Sequence, residues 1–408
     1  MRPTSLFFAG CLLACLLLAG CAHAPPAAPS TLLLVSVDGL PGAIVGTGAM
    51  PTLDALSAGG ARADGLVPTY PTHTFPNHYT LVTGLRPDQH GIVHNRIRDP
   101  LLGRFVSKSL SPRDGRWWGG EPIWATLQKQ GGIAATMFWP GSEAEISGQR
   151  PRHYRNFDPK LGVNARVDQI LAWLDLPVAE RPRLLTLYTE RYDTAVHANG
   201  MRSVQATEAL QEIDNALARL RDGLRLRGLA ASTNIIVVSD HGMADLRGED
   251  VRYLDDVVAI DTVDVEYFGS MVGLNPLPGH VQTVEAALLR RHDHFQCWRK
   301  ADLPAAWHYG RHPRIPAIIC QADDAWRLHS RASPTPPALQ GEHGLAPESM
   351  SMRGVFVANG PGFVAGARMP AIDNIHVYQL LARLLGVVPA ANEGSLSPFL
   401  PVLKNRGK

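Results

Sequence analysis

The feature that most limits what this chain can fold into is an alternation: continuous apolar runs of strand length, several closing on a polar residue, separated by stretches with helical spacing. The first run, TLLLVSVDG (31 to 39), ends in Asp38-Gly39, as expected of a buried parallel strand that delivers a carboxylate at its carboxyl end. MPTLDALSAGG then has helix spacing, with Pro51 near its start and glycines behind it. The rhythm returns in EPIWATLQKQGG before IAATMFW, in ARVDQILAWL before RLLTLYTE, and in the amphipathic stretch from Met201 to Leu226 before NIIVVSD. Such alternation predicts an α/β fold with a central, mainly parallel sheet flanked by helices on both faces. The irregular stretch from about 250 to 341, rich in Pro, His and Trp, reads as a smaller inserted cap subdomain. It interrupts a main domain spanning 31 to 395, and 396 to 408 is expected to be a C-terminal tail.

The first thirty residues are set apart from the fold as a targeting segment. Arg2 supplies a positive start, and the apolar stretch from Leu6 to Leu18 is too short for a convincing membrane span. Leu18-Ala19-Gly20 before Cys21 resembles the bacterial lipobox, which implies a signal segment at 1–21, cleavage before Cys21 and lipid on its sulfur. An ordinary signal peptide cleaved nearby, or a retained anchor, is the alternative. Residues 22–30 read as a Pro/Ala tether. Ala22 is not an inner-membrane retention residue by the bacterial sorting pattern, so the expected location is the periplasmic side of the outer membrane, with the membrane as a partner through the anchor. Cys297 and Cys320 then remain in the mature chain, either paired or as two buried thiols; neither belongs to a CxxC, so a cysteine-built zinc site is not expected. A net charge of +2 without a basic run argues against a surface that tracks a nucleic-acid polymer. A monomer acting on small molecules is expected.

The chemistry gathers at strand ends. Asp38 closes the first run, RLLTLYTERYD reaches Asp193, and NIIVVSDHG reaches Asp240 and His241. In open α/β sheets ligands bind outside the carboxyl ends of the strands, so three chain-distant places could converge in one crevice. His197 follows Asp193 by four residues and would share a helix face with it, and His343 lies in GEHGL. Taken singly, each has a bland explanation as a turn or a satisfied histidine. Together, mixed carboxylate and imidazole donors suit zinc and similar divalent ions, and two neighbouring ions need about this many ligands. A second segment, TYPTHTFPNHYT (69 to 80), places Thr74 immediately before FPNHYTLVTG, where Pro76 and Gly84 mark a short helix. Thr74 is then well placed as an N-cap at a helix end that favours a phosphate. Two readings stand: a hydroxyl that only caps, or a nucleophile activated by a divalent cation.

VSVDG, PTHTFPNHYTLVTGLRPDQHGIVHN, SDHGM and GEHG, in this order, resemble the nucleotide pyrophosphatase/phosphodiesterase family of the alkaline phosphatase superfamily. FWPGSE and WHYGRHPRIP extend the likeness over most of residues 31 to 390. The resemblance implies an alkaline phosphatase-like fold, a phosphodiesterase catalytic domain, and two Zn2+ ions, other divalent ions being possible. Asp38, Asp240 and His241 would hold one ion together with the Thr74 oxygen, and Asp193, His197 and His343 the other. Thr74 would attack phosphorus to give a phosphothreonine ester, and Asn95 would donate to a non-bridging phosphoryl oxygen. Phe75 and Tyr188 fall where the family sandwiches a base or other leaving group, although Tyr188 reads equally as a strand residue facing the core. The implied function is cleavage of nucleotides and other small phosphodiesters, with two alternatives: a phosphodiesterase for choline-type or lysophospholipid headgroups, and a non-catalytic metal-binding lipoprotein. The chain departs from the family where Tyr192 and Val196 replace a usual Pro and Gly, and where Leu345-Ala346-Pro347 follows the HG of GEHG.

Overall fold

The computed structural model describes residues 31–247, 250–334 and 339–404, so the signal segment, Cys21 and the tether at 22–30 lie outside the described residues. In chain order the strands that matter are β1 (Thr31–Val37), β2 (Ala61–Ala63), β3 (Ala134–Met137), β4 (His153–Arg155), β5 (Leu184–Thr189) and β6 (Thr233–Val238). The inserted region supplies β7 (Val263–Tyr267), β8 (Met271–Pro276), β9 (Arg291–His292), β10 (Phe295–Arg299) and β11 (Ile318–Ala322), and β12 (Phe356–Asn359) and β13 (Ala367–Met369) follow. The main sheet runs β13-β2-β12-β6-β1-β5-β3-β4. Neighbours are parallel throughout except around β12, which is antiparallel to both β2 and β6. The predicted mainly parallel sheet is therefore present, at the centre of the chain.

Its strands read as unbroken apolar runs because both faces are covered. Leu32, Leu34, Ile236 and Val238 point to a face roofed by helices α2 (Thr74–Thr83), α3 (Ile123–Lys129) and α8 (Val377–Leu385). Leu33, Val35, Ile235 and Val237 point to the other, under α1 (Pro51–Ala58), α4 (Val163–Leu174), α5 (Arg191–Asn199) and α6 (Val204–Leu226). The stretch expected to be helical from Met201 starts at Val204, because Ser203 is extended and its Oγ accepts from the Ala206 N–H at 3.0 Å, stopping the helix there.

Between the halves of the main domain, the inserted region forms its own antiparallel sheet, β7-β8-β11-β10-β9, with helix α7 (Val281–Leu288). Leu254, Val272, Val284, Ile318 and Leu328 make a separate apolar core there. Cys297 and Cys320 stand opposite one another on β10 and β11 and are joined as a disulfide, which decides between the two states left open by the sequence. The cap is tied to the main domain by the Arg98–Asp264 ion pair, by Arg314 Nε to Asp99 Oδ2 at 2.8 Å, and by the ring of Trp307 stacked 4.1 Å from Tyr70.

The segment expected to be a tail over 396–408 is described as far as Lys404. Ser397–Val402 forms a 3-10 turn that buries Phe399 and Val402, with the Phe399 ring 5.4 Å from Phe356 of β12. Phe399 and Val402 join the core on that face of the sheet, with Leu396 and Leu403 packed against it.

Candidate metal centre and nucleophile

Because β6, β1 and β5 are parallel neighbours, their carboxyl ends lie side by side. β1 runs into Asp38, and β6 runs through Ser239 into Asp240 and His241. β5 runs through Glu190 into α5, which carries Asp193 and His197 one turn apart. His343 returns from the cap behind the short strand Gly341–Glu342. The six side chains fall into two triads, Asp38 with Asp240 and His241, and Asp193 with His197 and His343, whose ligand atoms lie within 4.8 Å of one another. The stacked rings of His241 and His343, 3.8 Å apart, join one triad to the other.

Whether these residues fit divalent cations is answered by the histidines. His197 Nδ1 lies 2.8 Å from Gly341 O, His241 Nδ1 2.9 Å from Gly242 O, and His343 Nδ1 3.0 Å from Thr72 O. A carbonyl only accepts, so each Nδ1 carries a proton and each Nε2 can offer a lone pair toward the centre, as a metal ligand must. Among the described residues, Asp38 Oδ1, Asp193 Oδ1, Asp240 Oδ2 and His241 Nε2 are buried there without a hydrogen-bond partner. His241 Nε2 approaches Asp240 Oδ2 to 3.0 Å and Asp38 Oδ1 to 3.5 Å, and His197 Nε2 approaches Asp193 Oδ1 to 3.2 Å. Buried acceptors that face one another are costly unless positive charge stands among them.

The electrostatics carry the same demand. Burial, together with the charges of Asp240 and Asp193, pushes the Asp38 carboxyl well above the usual range. At Asp240 burial pushes the same way, but His241 and His78 outweigh it and hold that carboxyl well below. Burial opposes a charged His197, yet Asp193 overrides it and raises the imidazole to about 9; His241 is raised likewise by Asp240. His343 is held well below its ordinary value by burial and by His241. The carboxylates thus draw positive charge to His197 and His241 at positions a cation would take over, so cation binding would release protons and tighten as pH rises.

Thr74 is the first residue of α2 rather than its cap: His73 occupies the cap position, and no side chain caps the helix. Among the described residues the Thr74 hydroxyl has no hydrogen-bond partner, so it is not spent on the helix. The helix instead fixes Thr74 through His78, one turn on, whose Nδ1 donates to Thr74 O at 2.9 Å and lies 3.4 Å from Asp240 Oδ2. Ser36 Oγ meets the other ring nitrogen of His78 at 2.8 Å. The sequence reading passed over His78, although its spacing of four from Thr74 places both on one helix face. Asn95 Oδ1 accepts from the Phe75 N–H at 2.9 Å, which orients the amide and leaves Nδ2 without a partner among the described residues, next to the segment that carries Thr74.

The aromatic assignments need one revision. Phe75 is half-buried against Phe105 and Trp118, with ring centroids 5.6 and 6.1 Å away. Tyr188 is buried, and its hydroxyl donates to Asp38 Oδ2 at 2.6 Å, so the side chain orients a candidate ligand. The exposed ring nearby is Phe157, 41% exposed and 6.2 Å from Tyr188, which sequence reasoning missed because nothing in NFDPK marks it. Buried Arg166 backs this wall, pairing both guanidinium ends with Glu190 at 2.7 and 2.9 Å, donating to Tyr188 O, and lying 6.0 Å from the Phe157 ring. The departures from the family have a packing reason. Tyr192 and Val196 face inward on α5 and are buried in the core beneath the sheet.

Comparison with known proteins agrees with this geometry. Residues 32–346 match the family described as type I phosphodiesterase / nucleotide pyrophosphatase. The chain is 36% identical over 389 residues to a venom phosphodiesterase of Crotalus durissus collilineatus, covering 92% of this chain and 47% of that protein. It is 35% identical over 384 residues to ectonucleotide pyrophosphatase/phosphodiesterase family member 3 of Mus musculus, covering 91% and 44%. The chain thus spans about half the length of the curated relatives it matches. Among solved structures it is similar to murine ectonucleotide pyrophosphatase/phosphodiesterase 5, in an inactive form in complex with AMP, at a TM-score of 0.87 and 28% identity, covering 92% of this chain and 100% of that chain. The human counterpart gives a TM-score of 0.88 at 29% identity, with the same coverage.

Proposed function

Since the chain belongs to the type I phosphodiesterase/nucleotide pyrophosphatase family and has an alkaline phosphatase-like fold, we propose that it hydrolyses nucleotides and other small phosphodiesters, with Thr74 as nucleophile. The observation that carries this reading is the pair of triads whose imidazole Nε2 atoms and carboxylate oxygens without a partner among the described residues converge, with His78 joining Asp240 Oδ2 at 3.4 Å to the backbone carbonyl of Thr74 at 2.9 Å. Asp38, Asp240, His241 and the Thr74 oxygen would hold one ion, and Asp193, His197 and His343 the other; an all N/O donor set suits zinc. Bound ions would neutralise phosphoryl oxygens and ease loss of the hydroxyl proton.

The chain's own groups do the rest. Thr74 Oγ attacks phosphorus, the new P–O bond forms as the bond to the leaving alcohol or phosphate breaks, and water later cleaves the phosphothreonine ester. Asn95 Nδ2 donates to a non-bridging oxygen as charge builds there. Phe157, rather than Tyr188, offers an exposed face on which a base can stack. The AMP held by the murine neighbour weighs toward nucleotides over choline-type headgroups. A non-catalytic role would predict the loss of a ligand or of Thr74, and all seven residues are in place. The proposal extends to a monomer carrying lipid on Cys21 in the outer membrane; a parent chain that takes up no labelled fatty acid, or one labelled equally in Cys21→Ser, would refute the lipid on Cys21.

The test is hydrolysis of bis-p-nitrophenyl phosphate beside p-nitrophenyl phosphate, with and without zinc, by the parent and by Thr74→Ala. Expected are zinc-dependent cleavage of the diester in preference to the monoester and a loss of several orders of magnitude in the variant. A variant that keeps the parent's rate would remove Thr74 as nucleophile.

A further inference from the structure

The segment carrying His343 is gripped from a side that the reaction outlined above leaves unused. Gln321 lies on β11 of the cap, beside the disulfide-bonded Cys320, and is buried. Its Oε1 accepts from the Tyr70 hydroxyl at 2.9 Å, while its Nε2 donates to Gly344 O at 3.1 Å and to Ser270 O at 3.0 Å, with a longer contact to Ala322 O at 3.3 Å. Tyr70 stands four residues before Thr74, and Gly344 follows His343 directly. One buried amide therefore reaches both the approach to the nucleophile and the backbone of a candidate metal ligand. Ser270 adds a second grip, its Oγ donating to His343 O at 2.5 Å. There is no slack between them: at Gly344 (φ +86°) a Cβ would lie 2.5 Å from Ser270 Oγ and 2.6 Å from His73 Cε1. The backbone after His343 is wedged between the cap and the residue preceding Thr74.

We propose that Gln321 is a positioning residue for the Asp193/His197/His343 ion, setting the spacing between His343 and Thr74 through Gly344 and Tyr70. The inference rests on the reading of that triad as a metal site. The direction of His343 Nε2 is fixed by its Nδ1–H bond to Thr72 O and by the backbone at 343 and 344. Gln321 touches the chain at both ends of that arrangement, two residues from Thr72 and one from His343. The chemistry requires an amide: one group must accept from a hydroxyl while donating to backbone carbonyls, which neither a carboxylate nor a thioether does. The cap sheet, braced by Cys297–Cys320 next to Gln321, is thereby a working part of the site rather than a cover.

The test compares the purified parent with Gln321→Met and Gln321→Glu, with Tyr70→Phe as a milder variant that removes only the hydroxyl, and with Val284→Ala as a cap-core control. Zinc per chain is measured against graded chelator, alongside kcat, KM and the melting midpoint. Parent and Val284→Ala are expected to keep two ions. The Gln321 variants are expected to keep one and release the other at roughly 10–100-fold lower chelator concentration, since losing a partner behind a ligand costs about that much. Their kcat should fall more than KM changes, and excess zinc should restore part of it; Tyr70→Phe should move the same way by less. Gln321 variants that hold both ions as the parent does, with kcat unchanged, would overturn the proposal. A folded parent that binds fewer than two ions would instead overturn the two-metal reading beneath it.

Discussion

At Tyr188 a single hydroxyl decides between two roles. The resemblance made the ring a stacking surface, whereas the structure buries the ring and aims the hydroxyl at Asp38 Oδ2, 2.6 Å away. Asp38 Oδ1 is thereby left as the atom free for a cation. Tyr188→Phe keeps the packing and removes the donor, so zinc at the Asp38 triad is expected to weaken by about 10–100-fold in a chelator competition, with KM for nucleotides little changed. A variant with parental zinc affinity and a raised nucleotide KM would return Tyr188 to substrate binding. Phe157→Ala should do the reverse, raising KM for a nucleotide diester roughly tenfold with zinc binding intact, because a base–aromatic stack contributes about 1–3 kcal/mol. The candidate ligands were legible in the sequence because each follows an apolar run or sits in a histidine-bearing motif. Tyr188 and His78 were not, since what they do depends on where one polar atom points, and no periodicity encodes that.

Helix α5 is the element on which the second triad turns. The spacing of Asp193 and His197 was readable as one helix face, and the helix runs from Arg191 to Asn199 as that spacing requires. The fit of the helix against the strand Gly341–Glu342 was not readable, because the two are far apart in the chain. A Cβ at Gly341 would stand 2.6 Å from Val196 Cγ1 and 2.9 Å from Val196 O, while Gly341 O accepts from His197 Nδ1 at 2.8 Å. Val196 fills this space from the helix side, so the room must be given up by the strand. Gly341→Ala is expected to destabilise by about 1–3 kcal/mol, the usual range for overpacking, and to loosen zinc at the Asp193 triad. Adding Val196→Gly should recover part of the zinc affinity, a coupling that a double-mutant cycle measures directly. Independent, additive effects would mean that the two elements do not share the space as described.

For the molecule as a whole, the layer order followed from the sequence: unbroken apolar runs separated by amphipathic helices can be buried only inside a sheet covered on both faces. The antiparallel insertion of β12, the five-stranded cap sheet and the docking of Phe399 did not follow, because short strands and a Pro-rich segment are ordered by contacts remote in the chain. Such remote contacts also bury neutral histidines that belong to neither candidate triad, and these make stability sensitive to acid. His90 and His94 are both lowered to about 3, chiefly by burial, with the nearby His312 adding to the effect at His90. His90 Nδ1 accepts from the Ile92 N–H at 3.2 Å, so the proton sits on Nε2, which meets Thr80 Oγ1 at 3.1 Å; a second proton has no place there. Once unfolded, a histidine takes its proton near pH 6.5. The unfolded chain therefore binds the proton first as pH falls: the stability each neutral histidine contributes is complete above about pH 6.5 and drains away toward pH 3, at about 1.4 kcal/mol per pH unit. His90→Gln replaces the ring with an amide that does not titrate. With zinc stripped from both proteins, urea unfolding between pH 6.5 and 4 should show the parent losing stability more steeply than His90→Gln by about that increment, because the ligands and His94 are common to both and cancel. Equal slopes would mean that His90 is protonated inside the folded protein, and that the enclosure described around it is open to water.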